Sequence, residues 1–148
     1  MTPQPNYFGN LAPKFNNSLR SSNFSDSRNP MGGLKNYVVL KSFKEGAVVI
    51  PYDRIVRIEA AKSYSMFYFA DGQRFFSSHN LSYHTKQLDN RFFQRIHKSH
   101  IINLTQVKEV LNDKVKKVIL QDGSLIEVSR RKASGFLRMF RLLSASLA

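Results

Sequence analysis

Residues 64–76 read YSMFYFADGQRFF. The aromatic-rich run 64–69 has the composition of a strand that packs on a pleated surface. Asp71-Gly72 is the dipeptide of a tight hairpin turn, and Arg74-Phe75-Phe76 resumes the extended pattern. An antiparallel hairpin is predicted here, and the neighbouring segments repeat its grammar. Upstream, 37–40 (YVVL), 47–50 (AVVI) and 55–58 (IVRI) are β-branched runs, the last two separated by Pro51-Tyr52-Asp53. Downstream, extended runs at 107–111, 115–120 and 125–128 flank turn signals at Asn112-Asp113 and Asp122-Gly123. Two segments read as helices. Residues 82–88 form a short one, whose apolar side is Leu81, His84 or Thr85, and Leu88. A second begins at Ser129, a plausible N-cap, and puts Ala133, Phe136, Leu137, Phe140 and Leu143 on one side. Gly135 costs that helix roughly 1 kcal/mol relative to Ala, a cost that close packing would explain. The expected architecture is a mostly β, antiparallel domain with small helices. Phe67, Phe69, Phe75, Phe92, Phe93 and Phe140 are core candidates.

Composition narrows the partners. The 148 residues carry 23 Lys/Arg against 10 Asp/Glu, a net charge of +13. That is room for one ordinary domain, and the bias suits nucleic acid first, an anionic membrane surface second and an acidic protein third. Residues 1–36 hold +3 of this charge and residues 37–148 hold +10, so the field belongs mostly to the folded part. Residues 1–36 are rich in Asn, Ser, Pro and Gly and read as a flexible tail or linker. Within them Phe8, Leu11, Phe15 and Leu19 fall at helical spacing, which leaves open a short helix against a partner; Pro13 weakens it. The chain has no Cys, which excludes disulfides and thiolate metal sites. No signal peptide is visible at the start, and no apolar run is long enough to span a bilayer, so cytoplasm is the default expectation.

The chemistry is densest in residues 92–107, FFQRIHKSHIINLTQV. Arg95, His97, Lys98 and His100, two hydroxyls and Asn103 stand among apolar positions, and Val128-Ser129-Arg130-Arg131 follows about twenty residues later. Such a mixture suits a surface that meets phosphates and base edges. It suits catalysis less, because no carboxylate lies close in sequence to act as base or acid.

At these residues the chain closely resembles the LytTR DNA-binding domain, the output module of many bacterial response regulators. The resemblance runs from about residue 37 to 143. FFQRIHKSHIINLTQV looks like the family's Phe-x-Arg-x-His-Arg-Ser-x-x-Val-Asn-x signature. The 55–60 run IVRIEA ahead of Tyr64, the Asp71-Gly72 turn and Val128-Ser129-Arg130-Arg131 are further ordered matches. The resemblance implies an elongated, ten-stranded antiparallel β fold with small helices and a C-terminal helix. It implies loops, not a recognition helix, entering successive major grooves of direct-repeat sites. It implies three base readers: Asn80, Arg130, and Lys44 in the loop at 42–46. Two departures stand out. Lys98 occupies a position where Arg is usual, and Lys lacks the planar two-pronged contact. The receiver domain that commonly precedes this module has no counterpart in residues 1–36, so phosphorylation control within this chain is not expected. The chain reads either as a stand-alone regulator or as a fragment.

Each candidate has a plainer alternative. Arg130, Arg131 and Lys132 open a helix, where the dipole disfavours cations, so another gain is implied. Arg130 is assigned to a base, Arg131 and Lys132 to phosphate; ordinary solvated charge is the alternative. Asn80 either pairs with adenine or caps the helix that follows. Lys98, Ser99, Arg95, His97 and Lys62 are assigned to phosphate, with His97 alternatively ordering its loop. Asn103 is expected to fix backbone from inside, and Lys114, Lys116 and Lys117 to be a solubilising surface. His97 and His100 at strand spacing are expected on opposite faces, so neither a metal site nor any cofactor is expected. An enzyme is not expected either: no Gly-rich phosphate loop or nucleophile–base pair is visible, and Ser129-x-x-Lys132 is a chance match. The function expected is sequence-specific binding of double-stranded DNA in transcription regulation, with self-association on tandem sites and bending of the duplex. The alternatives are an RNA or single-strand binder, motivated by twelve Phe and six Tyr on a basic β domain, and a protein-interaction module.

Overall fold

A computed structural model describes residues 36–42 and 46–147; the expectations for the tail and for Lys44 lie outside the described residues. The mostly β expectation holds, with ten strands in three antiparallel sheets among the described residues. Strands β1 (Tyr37–Ser42) and β2 (Gly46–Pro51) form a hairpin. Strands β3 (Ile55–Ala61), β4 (Tyr64–Phe69), β5 (Arg74–Ser77), β6 (Phe93–His97) and β7 (His100–Asn103) form a sheet of order β5-β4-β3-β7-β6. Strands β8 (Val107–Asn112), β9 (Lys116–Leu120) and β10 (Leu125–Glu127) form the third, of order β10-β9-β8. Helix α1 (Leu81–Gln87) links β5 to β6, and helix α2 (Arg130–Leu147) follows β10.

Alternation in the sequence sets which side chains go inside. In β4, Ser65, Phe67 and Phe69 are buried while Tyr64 is exposed. Gly72 takes a φ of 88° in the β4–β5 turn, a left-handed conformation that glycine adopts without a Cβ clash. The five-stranded sheet is buried on both sides. One face carries Ile58, Phe67, Phe75 and Ile101 and packs with the β1–β2 hairpin, with Leu81 of α1 and with Leu88 just after it. The other carries Val56, Ile96 and Ile102 and packs with Val118, Leu120 and Ile126 of the third sheet and Phe136 of α2. Ala133, Leu137, Phe140 and Leu143 line the same side of α2, as the periodicity predicts.

Asn103 has the internal role expected of it. It is buried; its Nδ2 donates to Tyr52 O (3.0 Å) and Ile55 O (2.8 Å). Its Oδ1 accepts from Thr105 N (3.0 Å) and Thr105 Oγ1 (2.7 Å), so every hydrogen-bonding position of the amide is used.

Two expectations need correction. His97 and His100, expected on opposite faces at strand spacing, end β6 and begin β7, which a Lys98-Ser99 turn joins. His97 and His100 are direct cross-strand partners and share a face, their ring centroids 6.0 Å apart. The chain reversal replaces the alternation of a single strand with the side-by-side geometry of a pair. Close packing does not account for Gly135, since a Cβ there would meet nothing within 4 Å.

Candidate nucleic-acid interface

The strand register brings several loops to one end of the five-stranded sheet. Ala61 pairs with Tyr64 across the Lys62-Ser63 turn. Glu59 pairs with His100, and Ala60 N donates to Ser99 O (2.9 Å), so the Lys98-Ser99 turn leaves the sheet beside the first. Ser77 pairs with Ser65, which puts the end of β5, and the loop to Asn80, at the same edge. Ser129 N donates to Ile96 O (2.8 Å), next to His97, and thereby carries Arg130 to this end. Lys62, Asn80, Lys98 and Arg130 thus come from four separate stretches of sequence and are brought toward one end of the five-stranded sheet.

Each candidate has a local cause. Lys62 adopts φ 59°, rare for a non-glycine residue, and is exposed in its two-residue turn. Asn80 is exposed and caps α1, its Oδ1 accepting from Tyr83 N (2.9 Å). The capping alternative is therefore realised, and the cap occupies one lone pair of Oδ1. Arg130, Arg131 and Lys132 are exposed on the first turn of α2, with Ser129 just before it as predicted. Lys98 is exposed at the tip of its turn.

Ser99 and His97 are less free than expected. The Ser99 N–H donates to His97 Nδ1 (3.2 Å). The Ser99 hydroxyl lies 2.9 Å from His97 Nδ1 and 3.1 Å from His100 Nδ1, held between two imidazoles. This is the loop-ordering role for His97. Behind the turn, Glu59 accepts from Arg57 Nη1 (3.1 Å) and Tyr68 Oη (3.1 Å), with His100 Nε2 at 3.6 Å. Burial pushes the Glu59 carboxyl up, but the bonds from Arg57 and Tyr68 and the Arg57 charge bring it below the usual carboxylate range. Burial holds His100 below its ordinary value, with Glu59 opposing and Arg57 and His97 adding to the effect. The Lys98 side chain is exposed at the tip of this turn and supplies its positive charge.

The structure also gathers residues to which the sequence reading gave no site. Lys114 and Lys116 line a depression of about 370 Å³ together with Ser129 and Arg130, because Val128 N pairs with Lys116 O (2.9 Å). That proximity follows from a long-range pairing that no local pattern announces. Next to Asn80, His79 stacks on Tyr83, with centroids 3.7 Å apart and planes 14° from parallel. Of the core candidates, Phe67, Phe69, Phe75 and Phe93 are buried, and Phe92 and Phe140 are partly buried against the two cores. Tyr64, Phe76 and Tyr83 are the large aromatics exposed among the described residues. Within those residues, no group of His, Asp or Glu is placed to hold a metal ion, and no helix is long and apolar enough to cross a membrane.

Comparison with known proteins bears on this arrangement. Residues 45–141 match the family model of the LytTr DNA-binding domain. Among solved structures, the LytTr DNA-binding domain described as that of a methyl-accepting/DNA response regulator from Bacillus cereus superposes with a TM-score of 0.61. The two share 22% identity over 72% of this chain and 97% of that one, a likeness that bears on fold alone. Among curated proteins, none matches the chain.

Proposed function

The chain belongs to the LytTR family of DNA-binding domains, and from this premise we propose that it is a sequence-specific, double-stranded DNA-binding transcriptional regulator. The observation that carries the proposal is the convergence of Lys62, Asn80, Lys98 and Arg130 at one end of the five-stranded sheet. Two short turns and two helix starts present these side chains, which suits loops entering successive major grooves from one side of the duplex. Arg130 and Asn80 are the base readers: Arg is matched to guanine O6 and N7, Asn to adenine. Lys44 is the third reader in this proposal. Lys62, Lys98, Arg131 and Lys132 meet phosphate and set the register. His97 and Ser99 act mainly by shaping the turn that carries Lys98. The full site is a pair of direct repeats read by two copies, and the duplex bends toward the loops. Nothing in this role requires catalysis or a cofactor.

Selection of binding sites from random duplexes tests the proposal. A recovered motif repeated in the same orientation at a fixed spacing is the expected result. Recovery of no motif overturns sequence-specific reading. Competition with single-stranded DNA and structured RNA is run beside it, and stronger competition by either than by matched duplex favours the RNA or single-strand alternative. Fragments carrying the site at permuted positions should differ in gel mobility; equal mobilities overturn bending.

A further inference from the structure

We propose that Arg95 is a positioning residue: a strut that holds the loop carrying Asn80 and the turn carrying Lys98 in one fixed relation, and not a phosphate contact. The inference rests on the DNA-binding reading above. Arg95 lies in β6 opposite Ile101, on the face of the sheet that packs with α1. Its Nη2 donates to the carbonyl of Lys98 (2.6 Å) and its Nη1 donates to the Ser82 hydroxyl (3.3 Å). Ser82 is the second residue of α1, two positions after the Asn80 cap. One planar group thus spans from the tip of the β6–β7 turn to the first turn of the helix.

The acceptors explain why the residue is Arg. The Lys98 carbonyl sits in a two-residue turn, outside the β6–β7 ladder. A guanidinium donates from two nitrogens at a fixed angle, so it satisfies that carbonyl and sets the direction to Ser82 together. A Lys ammonium reaches one acceptor and fixes no angle. Both acceptors are neutral, and among the described residues no carboxylate pairs with Arg95. Its charge stays in the basic field while its geometry is spent inside the protein.

The consequence is for specificity. Phosphate contacts fix where the protein sits on the duplex, and base contacts read what is there. If Lys98 sets the register and Asn80 reads, the relation between the two turns decides whether the reader meets its base. Loosening the strut leaves the charge that holds any duplex and degrades discrimination between duplexes.

The experiment uses the full chain, with wild type, Arg95→Lys, Arg95→Ala and Ser82→Ala titrated on a selected duplex and a random duplex at several salt concentrations. Wild type is measured first; a failure to prefer the selected duplex is a failure of the DNA-reading premise, not of the strut. For Arg95→Lys, the preference for the selected duplex is expected to fall about tenfold, as for one lost charge-assisted hydrogen bond, with random-duplex affinity and salt slope unchanged. Ser82→Ala should move the same way by about threefold. A cycle with Asn80→Ala should show Arg95→Lys to have little further effect once Asn80 is gone. The proposal is overturned if Arg95→Lys matches wild type while Arg95→Ala weakens all duplexes alike and lowers the salt slope by about one, the signature of a phosphate contact. Thermal melts identify any variant that fails to fold, and Ser82→Ala, at an exposed helix position, keeps the test open if the Arg95 variants do.

Discussion

Lowering the pH from 7 to 5 is expected to cost the fold about 2 kcal/mol through one side chain, His84. The imidazole is 1% exposed, wedged between α1 and the sheet edge-on to Phe67, with Nε2 2.8 Å from the Ser77 hydroxyl. Its Nδ1 is buried without a hydrogen-bond partner. Burial, aided by the charge of nearby His79, brings its pKa from 6.5 down to about 4. A histidine with a folded value below its unfolded value binds fewer protons when folded. Its contribution is therefore whole above about pH 6.5 and is lost as the pH falls toward about 4. Over that whole span the loss approaches about 3 kcal/mol, and by pH 5 most of it has been felt. The assay is urea unfolding of wild type and His84→Gln at a series of pH values. The glutamine keeps a polar group near Ser77 and does not titrate. His100, whose value is also depressed, and Glu59 contribute to both curves and cancel in the difference. Wild type should lose about 2 kcal/mol more than the variant between pH 7 and 5. Equal losses would mean that His84 is solvated or finds a partner on protonation, and the argument from burial would be wrong. Since α1 carries Asn80 as its cap, duplex discrimination should fade over the same pH range.

Arg130→Ala and Lys98→Ala should fail differently. The first should cost roughly 1–3 kcal/mol on the selected site and relax preference at one base pair. The second should weaken selected and random duplexes by similar factors and lower the logarithmic salt slope by about one. Salt titrations of both variants decide it, and a uniform loss for Arg130→Ala would make that residue a phosphate contact. Gly135→Ala should raise stability by about 1 kcal/mol, because the position is helical, has no positive φ and has open space for a Cβ; an unchanged or lower melting temperature refutes it. Asn103→Ala should cost about 3 kcal/mol in urea unfolding, since it strips buried carbonyls of Tyr52 and Ile55 of a donor. A loss below about 1 kcal/mol would show that water replaces the amide.

Strand identity was legible because it is written in neighbours. Aromatic and β-branched runs, Asp-Gly turns and the apolar spacing of 133–143 are local patterns, and they place β1 to β5, β8 to β10 and both helices within a few residues. The charge excess and the ordered motifs from 55 to 131 carried the DNA-binding reading for the same reason. What the chain does not write locally is which residues meet across distance. The Lys98-Ser99 reversal put His97 and His100 on one face, where strand spacing alone had placed them on opposite faces. The Val128–Lys116 bond brought Lys114 and Lys116 to Arg130, and the guanidinium of Arg95 joined a turn to a helix thirteen residues away. The Asn103 amide spans 51 and 48 residues to the carbonyls it satisfies. Such relations follow from sheet register, which depends on burying both faces of the central sheet at once. The sequence by itself determined the strands, the charge and the family. Only the packed structure decided which cations lie near one another and which polar groups hold the turns in shape.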